Sequence, residues 1–250
     1  MSIVELREAL RTTGAVRRFR SDPVPDETLY RILDTARFAP NGGNRQGWRV
    51  VVLRDPVVRR GVRDLYLPGW YEYLAMRAAG LTPWAPVTDA DAERRALGAV
   101  AEMATAGAAR PGFAEELDQV PVLLAVLADL RRLAAVDRDN PGYAMVGGAS
   151  IYPFVWSVLL AARDEGLGGV MTTMVVRRQD AIRALVHAPA ELVVVALVAL
   201  GSPEVPPPTR LRRDRVEAFT TVDTCDGAIF TIDTGENPRD LEPAGRGTGR

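Results

Sequence analysis

Lysine is missing from this chain. All 31 of its Lys+Arg positions are arginine, set against 32 acidic residues, for a formal net charge of -1 and a pI near 6.0. Schiff-base enzymes and P-loop phosphate cradles both need that amine, so both fall away. There is one histidine, His187, and one cysteine, Cys225. Cys/His metal clusters cannot be assembled from them, no metal site is expected, and a Ser-His-Asp site would have to use His187. A lone thiol permits no internal disulfide and fits a reducing compartment. The opening stretch MSIVELREAL lacks the basic-then-apolar order of a signal peptide, and no apolar run approaches the length of a membrane span. The expectation is a cytoplasmic protein without membrane contact, and the near-neutral charge gives no reason to expect nucleic acid. Internal repeats are absent, as is a Gly-x-Gly-x-x-Gly fingerprint after a strand, so a resident dinucleotide on a Rossmann site is not expected. These exclusions favour an organic cofactor that carries the difficult chemistry.

What is present begins with 250 residues, 47% hydrophobic and 25% charged, enough to bury one large core. The expected organisation is a single domain over residues 1–233 followed by a mobile tail, 234–250, rich in Gly, Pro, Arg and Glu. The densest signals lie at 17–48, RRFRSDPVPDETLYRILDTARFAPNGGNRQGW. Arg17, Arg18 and Arg20 are planar, permanently charged donors suited to phosphate or another oxyanion. Leu29, Ile32, Leu33 and Ala36 then follow helical spacing, with Pro25, Asp26 and Glu27 in the first turn. Past Ala39, Gly42 and Gly43 let backbone approach a ligand, and Asn41, Asn44 and Gln46 offer donors and acceptors.

These residues resemble the FMN-dependent nitroreductase family, whose pattern runs Arg-x-Phe, then a Pro-Val-Pro-like lead into a helix, then Ala-Pro-Ser-x-x-Asn-x-Gln-Pro-Trp. Arg17 and Phe19, Pro23-Val24-Pro25, Ala39-Pro40, Asn44, Gln46 and Trp48 match in order and spacing. Thr13, Gly14 and Ala15 stand where many members carry an Arg, a second basic residue and a Ser. Asn41 replaces the Ser of the loop, Gly47 its Pro, and Ser157 an Asn of a later helix.

Along the rest of the chain, Ser2 with Glu5 reads as a capping box for a short helix through Leu10. Arg49–Leu53 reads as a buried strand, with Asp55 capping the helix that follows. The aromatics Tyr66, Trp70, Tyr71, Tyr73 and Trp84 suit a pocket wall, a subunit interface or plain core. The Ala-rich 85–120 stretch predicts a helix and then a loose connection at Gly107–Gly112. VPVLLAVLADL after Pro121 and Leu192–Leu200 read as strands buried on both faces. Between them come a long helix that stops at Gly166 and Gly168, and a helix over Arg178–Val186 with His187 at its end, a charge-complementing or surface position. GAIFTI, 227–232, has strand character without an obvious partner in the same chain.

Helices alternating with strands would by themselves suggest a parallel α/β sheet. The resemblance implies instead an α+β fold: an α-β-α sandwich with a mainly antiparallel central sheet, a domain-swapped C-terminal arm, and a homodimer with flavin at the subunit boundary. It further implies FMN as cofactor, with Arg17 supporting the reduced flavin, Asn44 and Gln46 along the ring's polar edge, Asn41 also binding the cofactor, and Thr172, Thr173 and Met174 near N5. Arg212 and Arg213, with Arg18, would meet the phosphate. NADH or NADPH would be a transient reductant and a small flat molecule, nitroaromatic or quinone, the electron acceptor in ping-pong turnover. Residues 64–120 would cover the flavin, with Trp70 and Tyr71 lining the substrate pocket, and no side chain need act as acid or base. Two other readings stay open: a flavin-sequestering or regulatory protein without turnover, and a relative that dehydrogenates natural products, removes halogens or fragments flavin.

Overall fold

Every residue of Val122–Asp129 is buried, and this strand, β2 in chain order, explains the layering around it. Even-numbered side chains from Val122 to Ala128 enter one apolar cluster, and Leu123, Ala125 and Leu127 enter another on the opposite face. A strand buried on both faces needs a layer on each side. One layer is α2 (Asp26–Ala36) with α6 (Tyr152–Asp164), and the other is α3 (Pro56–Ala78) with α7 (Gln179–Leu185). The computed structural model describes residues 4–232, which divide into two compact units, one ending at Arg210 and the other beginning at Leu211.

The sheet has the order β1-β2-β4-β3, with β1 at Trp48–Leu53, β3 at Gly168–Thr172 and β4 at Leu192–Gly201. Each pairing is antiparallel, as the family resemblance implied and as helix–strand alternation alone did not. Between β2 and β4 the register slips after Val126, where Val126 faces Ala196 but Leu127 faces Val194. That bulge lets Val194 and Leu197, three residues apart, enter the same cluster, which strict alternation would forbid. The Gln179 side chain clasps the bulged strand, donating to the Val194 carbonyl and accepting from its N–H, both at 2.8 Å.

Several local expectations hold. Leu29, Ile32 and Ala36 form the buried stripe of α2. Asp55 caps α3 by accepting from the N–H groups of Val57 and Val58. Helix α6 ends before Gly166, at φ 78°. The Ala-rich stretch becomes α4 (Ala90–Ala96) and α5 (Val100–Ala109), so Gly107 is helical and the connection starts at Arg110, later than expected. At the start, α1 spans Leu6–Thr12 after Glu5, whose side chain makes no capping bond; Ser2 lies outside the described residues, as does the tail from 234.

Among the described residues, the second unit contains one short turn of helix at Val216–Ala218 and a small antiparallel contact. Val222 N–H donates to Ala228 at 2.9 Å and Phe230 N–H to Thr220 at 3.1 Å. The 227–232 segment therefore does find a partner in its own chain, at 220–222, and forms a single bridge, not a regular strand. Thr224 and Gly227 close the turn between them, a contact that strand propensity alone could not reveal.

Candidate functional site

Residues 15–20 run extended beside the sheet. Val16 N–H donates to the Gly169 carbonyl at 2.9 Å and Arg20 N–H to Ser202 at 2.8 Å, while Arg18 accepts from Glu204 N–H at 3.2 Å. Side chains fix the arm as firmly as backbone does. A Cβ on Gly168 would stand 2.6 Å from Val16, and one on Gly201 would stand 3.0 Å from the Phe19 ring. Glycine at both positions leaves gaps that Val16 and Phe19 fill, and with those two anchored, Arg17, Arg18 and Arg20 are left exposed. None of the ion pairs among the described residues involves these three arginines.

Arg17 lies close enough to Tyr66 to act on its phenol. Burial raises the Tyr66 pKa, opposed by a hydrogen bond with Thr172 and by the positive charge of Arg17. The Tyr66 hydroxyl and Thr172 Oγ1 are 3.0 Å apart. Sequence reading named Tyr66 among five aromatics of one stretch, as pocket wall, interface or core, but gave it no link to Arg17 or Thr172, the two site residues that it joins. A buried aromatic on α3 gives no signal of a partner 106 residues away. Beyond Thr172, Thr173 is exposed and Met174 packs partly into the core, its carbonyl 3.2 Å from where a Cβ on Gly69 would be.

The second group is the amide loop before β1. Asn41 Oδ1 accepts from Gln46 N–H at 2.8 Å and Asn41 Nδ2 donates to the Ala39 carbonyl at 3.2 Å, so this side chain braces its own loop. Ser150, which the sequence reading did not single out, accepts from Gly42 N–H at 3.0 Å. Trp48 stacks on Phe154 with centroids 4.8 Å apart and planes 6° apart, anchoring the far end. Gly43, Asn44 and Gln46 all have positive φ, at 61°, 52° and 50°. Such backbone in a residue other than glycine is held only when its surroundings force it. Asn44 and Gln46 are exposed, with Gln46 Nε2 donating to Asn44 Oδ1 at 3.3 Å.

These two groups belong to opposite edges of the sheet. The loop leads into β1 and the arm flanks β3, with β2 and β4 between. Three strand spacings separate the edges, about 14 Å. The remaining predicted residues stand elsewhere. Trp70 is half-buried in a run of stacked rings, 6.3 Å from Tyr66 and 5.4 Å from Tyr73. Tyr71 donates to Glu115 at 3.1 Å, and burial followed by that carboxylate raises its pKa. A hollow of about 310 Å³ lined by Ala79, Leu81, Ala92, Arg95 and Ala96 contains neither ring. Arg212 and Arg213 are exposed in the second unit, where Arg213 Nη1 donates to the Arg212 carbonyl at 2.7 Å.

A family model described as the nitroreductase family matches residues 10–202, a span that holds the arm, the loop and every strand of the sheet. The chain belongs to the nitroreductase family. Among curated relatives, it is 29% identical over 218 residues to an NADH dehydrogenase of Thermus thermophilus, covering 86% of this chain and 96% of that protein. It is 31% identical over 192 residues to a 5,6-dimethylbenzimidazole synthase of Rhodospirillum rubrum, covering 75% and 77%. In fold it resembles an iodotyrosine deiodinase solved with FMN and 3-iodo-L-tyrosine, with a TM-score of 0.59 at 23% identity, over 87% of this chain and all of the other. Among the described residues, no helix of this nitroreductase-family chain is long and apolar enough to cross a membrane.

Proposed function

We propose that this protein is an FMN-dependent oxidoreductase that draws reducing equivalents from NADH or NADPH and passes them to a flat acceptor such as a nitroaromatic or a quinone. The observation that carries the reading is Arg17, an exposed guanidinium without an acidic partner among the described residues, beside the Tyr66–Thr172 pair at the edge of β3. Unpaired cations next to fixed hydroxyls, and an amide loop whose strained backbone presents Asn44 and Gln46, fit an anionic, hydrogen-bonding cofactor. Bound FMN supplies reversible hydride acceptance, which no side chain of this chain can replace.

The residues would divide the remaining work. Arg17 stabilises negative charge that develops on reduction, a preorganised cation that costs no reorganisation. Arg18, on the same arm, offers the phosphate a charge-assisted donor. Asn41 keeps its loop in shape so that Asn44 and Gln46 present their amides, and Thr172, Thr173 and Met174 line the opposite approach. Trp70 and Tyr71 belong to the region that would select the acceptor. Because arm and loop hang on opposite sheet edges, a complete site would take its arm from one protomer and its loop from a second, in a homodimer. Tyr152 and Trp156, exposed one turn apart on α6, give that dimer an apolar face, and an exchanged C-terminal arm would extend the contact.

A purified protein with a bound yellow flavin tests the reading directly. NADH or NADPH is expected to bleach it and an added quinone to restore the colour, with parallel double-reciprocal rate plots. A flavin that stays yellow with both nucleotides supports a sequestering or regulatory role. A second enzymatic reading is favoured by the relatives themselves, one a 5,6-dimethylbenzimidazole synthase and another fold neighbour a deiodinase. Bleaching without reoxidation by quinone, combined with dehalogenation of a halophenol or loss of the flavin itself, would select that reading.

A further inference from the structure

The corner where β1 begins carries arginines that the proposed flavin site does not use. Arg45 and Arg49 flank Gln46–Trp48, and Arg132 leans across from the chain after β2. Arg132 Nη1 donates to the Arg45 carbonyl at 3.1 Å, and its Cβ is 3.2 Å from where a Cβ on Gly47 would lie. Arg49 Nη1 donates to the carbonyls of Gln46 and Trp48 at 3.4 and 2.7 Å. Arg45 folds its guanidinium over Gly43, with Cζ 3.5 Å from the position a Cβ would take there. Backbone carbonyls orient Arg49 and Arg132 without neutralising them.

The carboxylates of the corner are already taken. Arg131 holds Asp129 at 2.9 Å and Glu191 at 3.0 Å, while Arg132 reaches Asp129 only at 3.8 Å. No ion pair among the described residues includes Arg45 or Arg49, and the side chains of all four arginines are exposed. Four guanidiniums thus face two carboxylates, with the surplus charge on the rim of the loop that presents Asn44 and Gln46. Planar forks with spare donors match a phosphate dianion better than they match a neutral hydroxyl.

We infer that Arg45, Arg49 and Arg132 bind the adenosine 2′-phosphate of the reducing dinucleotide, which makes NADPH the preferred reductant over NADH. The inference rests on the proposed flavin slot, because a reductant visiting that slot must lay its other half on an adjoining surface. Phosphate recognition by free cations also makes the preference fade as salt rises.

The test uses the full chain with FMN added, titrated by calorimetry with 2′,5′-ADP and with 5′-AMP, and then R45Q/R132Q assayed with both reductants. Both substituted side chains are exposed. The expected results are 2′,5′-ADP binding about tenfold tighter than 5′-AMP, and a loss of about tenfold in kcat/KM for NADPH with little change for NADH, the size of one charge-assisted contact. Equal binding of the two nucleotides, or an equal loss with both reductants, overturns the inference. Release of FMN from R45Q/R132Q also overturns it, by assigning the corner to the flavin phosphate. Tight 2′,5′-ADP binding without oxidation of either dinucleotide supports the corner and sinks only the hydride-transfer reading.

Discussion

The arm at 15–20 and the loop at 41–48 are held in place by opposite means. The arm has no regular structure of its own and takes its shape from outside, through backbone bonds to β3 and the chain after β4 and through Val16 and Phe19 seated in glycine gaps. The loop is braced largely by its own side chains and by Ser150, and it carries two residues other than glycine at positive φ. Each such residue stores roughly 1–3 kcal/mol. Support from outside lets three arginines project without strain, whereas self-support places amides accurately at a cost in stability.

The largest expected effect lies in the arm's charge. Arg17→Ala should weaken FMN binding or flavin reduction by roughly 10- to 100-fold, the worth of a charge-assisted hydrogen bond, with Arg17→Lys recovering only part. Flavin retention and the reduction potential measure it, and an unchanged potential would remove Arg17 from the site. Gly169→Ala comes next, since its Cβ would stand 2.5 Å from Leu200 and 2.9 Å from the Ala199 carbonyl. Overpacking against backbone should cost about 1–3 kcal/mol, read as a lower Tm. A neutral substitution there would mean that the β3 edge yields more easily than the glycine gaps imply.

In the loop, Ser150→Ala removes the acceptor of Gly42 N–H and should cost about 1 kcal/mol of stability. Asn44→Gly should do the reverse to the fold, raising stability by up to about 1 kcal/mol through relief of the 52° φ, while lowering flavin affinity. If Asn44→Gly lowers both, the loop is not strained and the contrast between the two regions collapses. The smallest effect under ordinary conditions concerns Asp129, whose N–H donates to the Gly47 carbonyl at 2.7 Å. The hydrogen-bonded Arg131 guanidinium holds its carboxyl down to about 2, against the penalty of burial. A depressed folded-state pKa contributes stability above the ordinary aspartate value, about 3.9, and loses it as pH falls toward 2. Tm should therefore not respond to this group above about pH 5 and should fall below it, with a shallower fall in Asp129→Asn.

Much of the framework could be read from residue types. The stripe on α2, the Asp55 cap, the buried runs of β2 and β4 and the Gly166 stop each depend on neighbours within a few positions. The arginines of the arm and the amides of the loop were legible as chemistry. Their supports were not: Tyr66 meets Thr172 across 106 residues and Ser150 meets Gly42 across 108, and neither serine nor tyrosine announces a distant partner. The extent of α5 and the bridge between 220–222 and 228–230 were misjudged for a related reason, because glycine in one case and strand propensity in the other yield to packing and turn contacts.

The amino-acid sequence by itself determined which side chains are available, an all-arginine cation set and a near absence of thiol and imidazole, and where helices and strands begin. Only the tertiary structure decided that the strands run antiparallel in the order β1-β2-β4-β3, which sets the arm and the loop at opposite edges. Periodicity reports which face of an element is apolar, and carries no record of the direction or order in which elements far apart in the chain come to lie together.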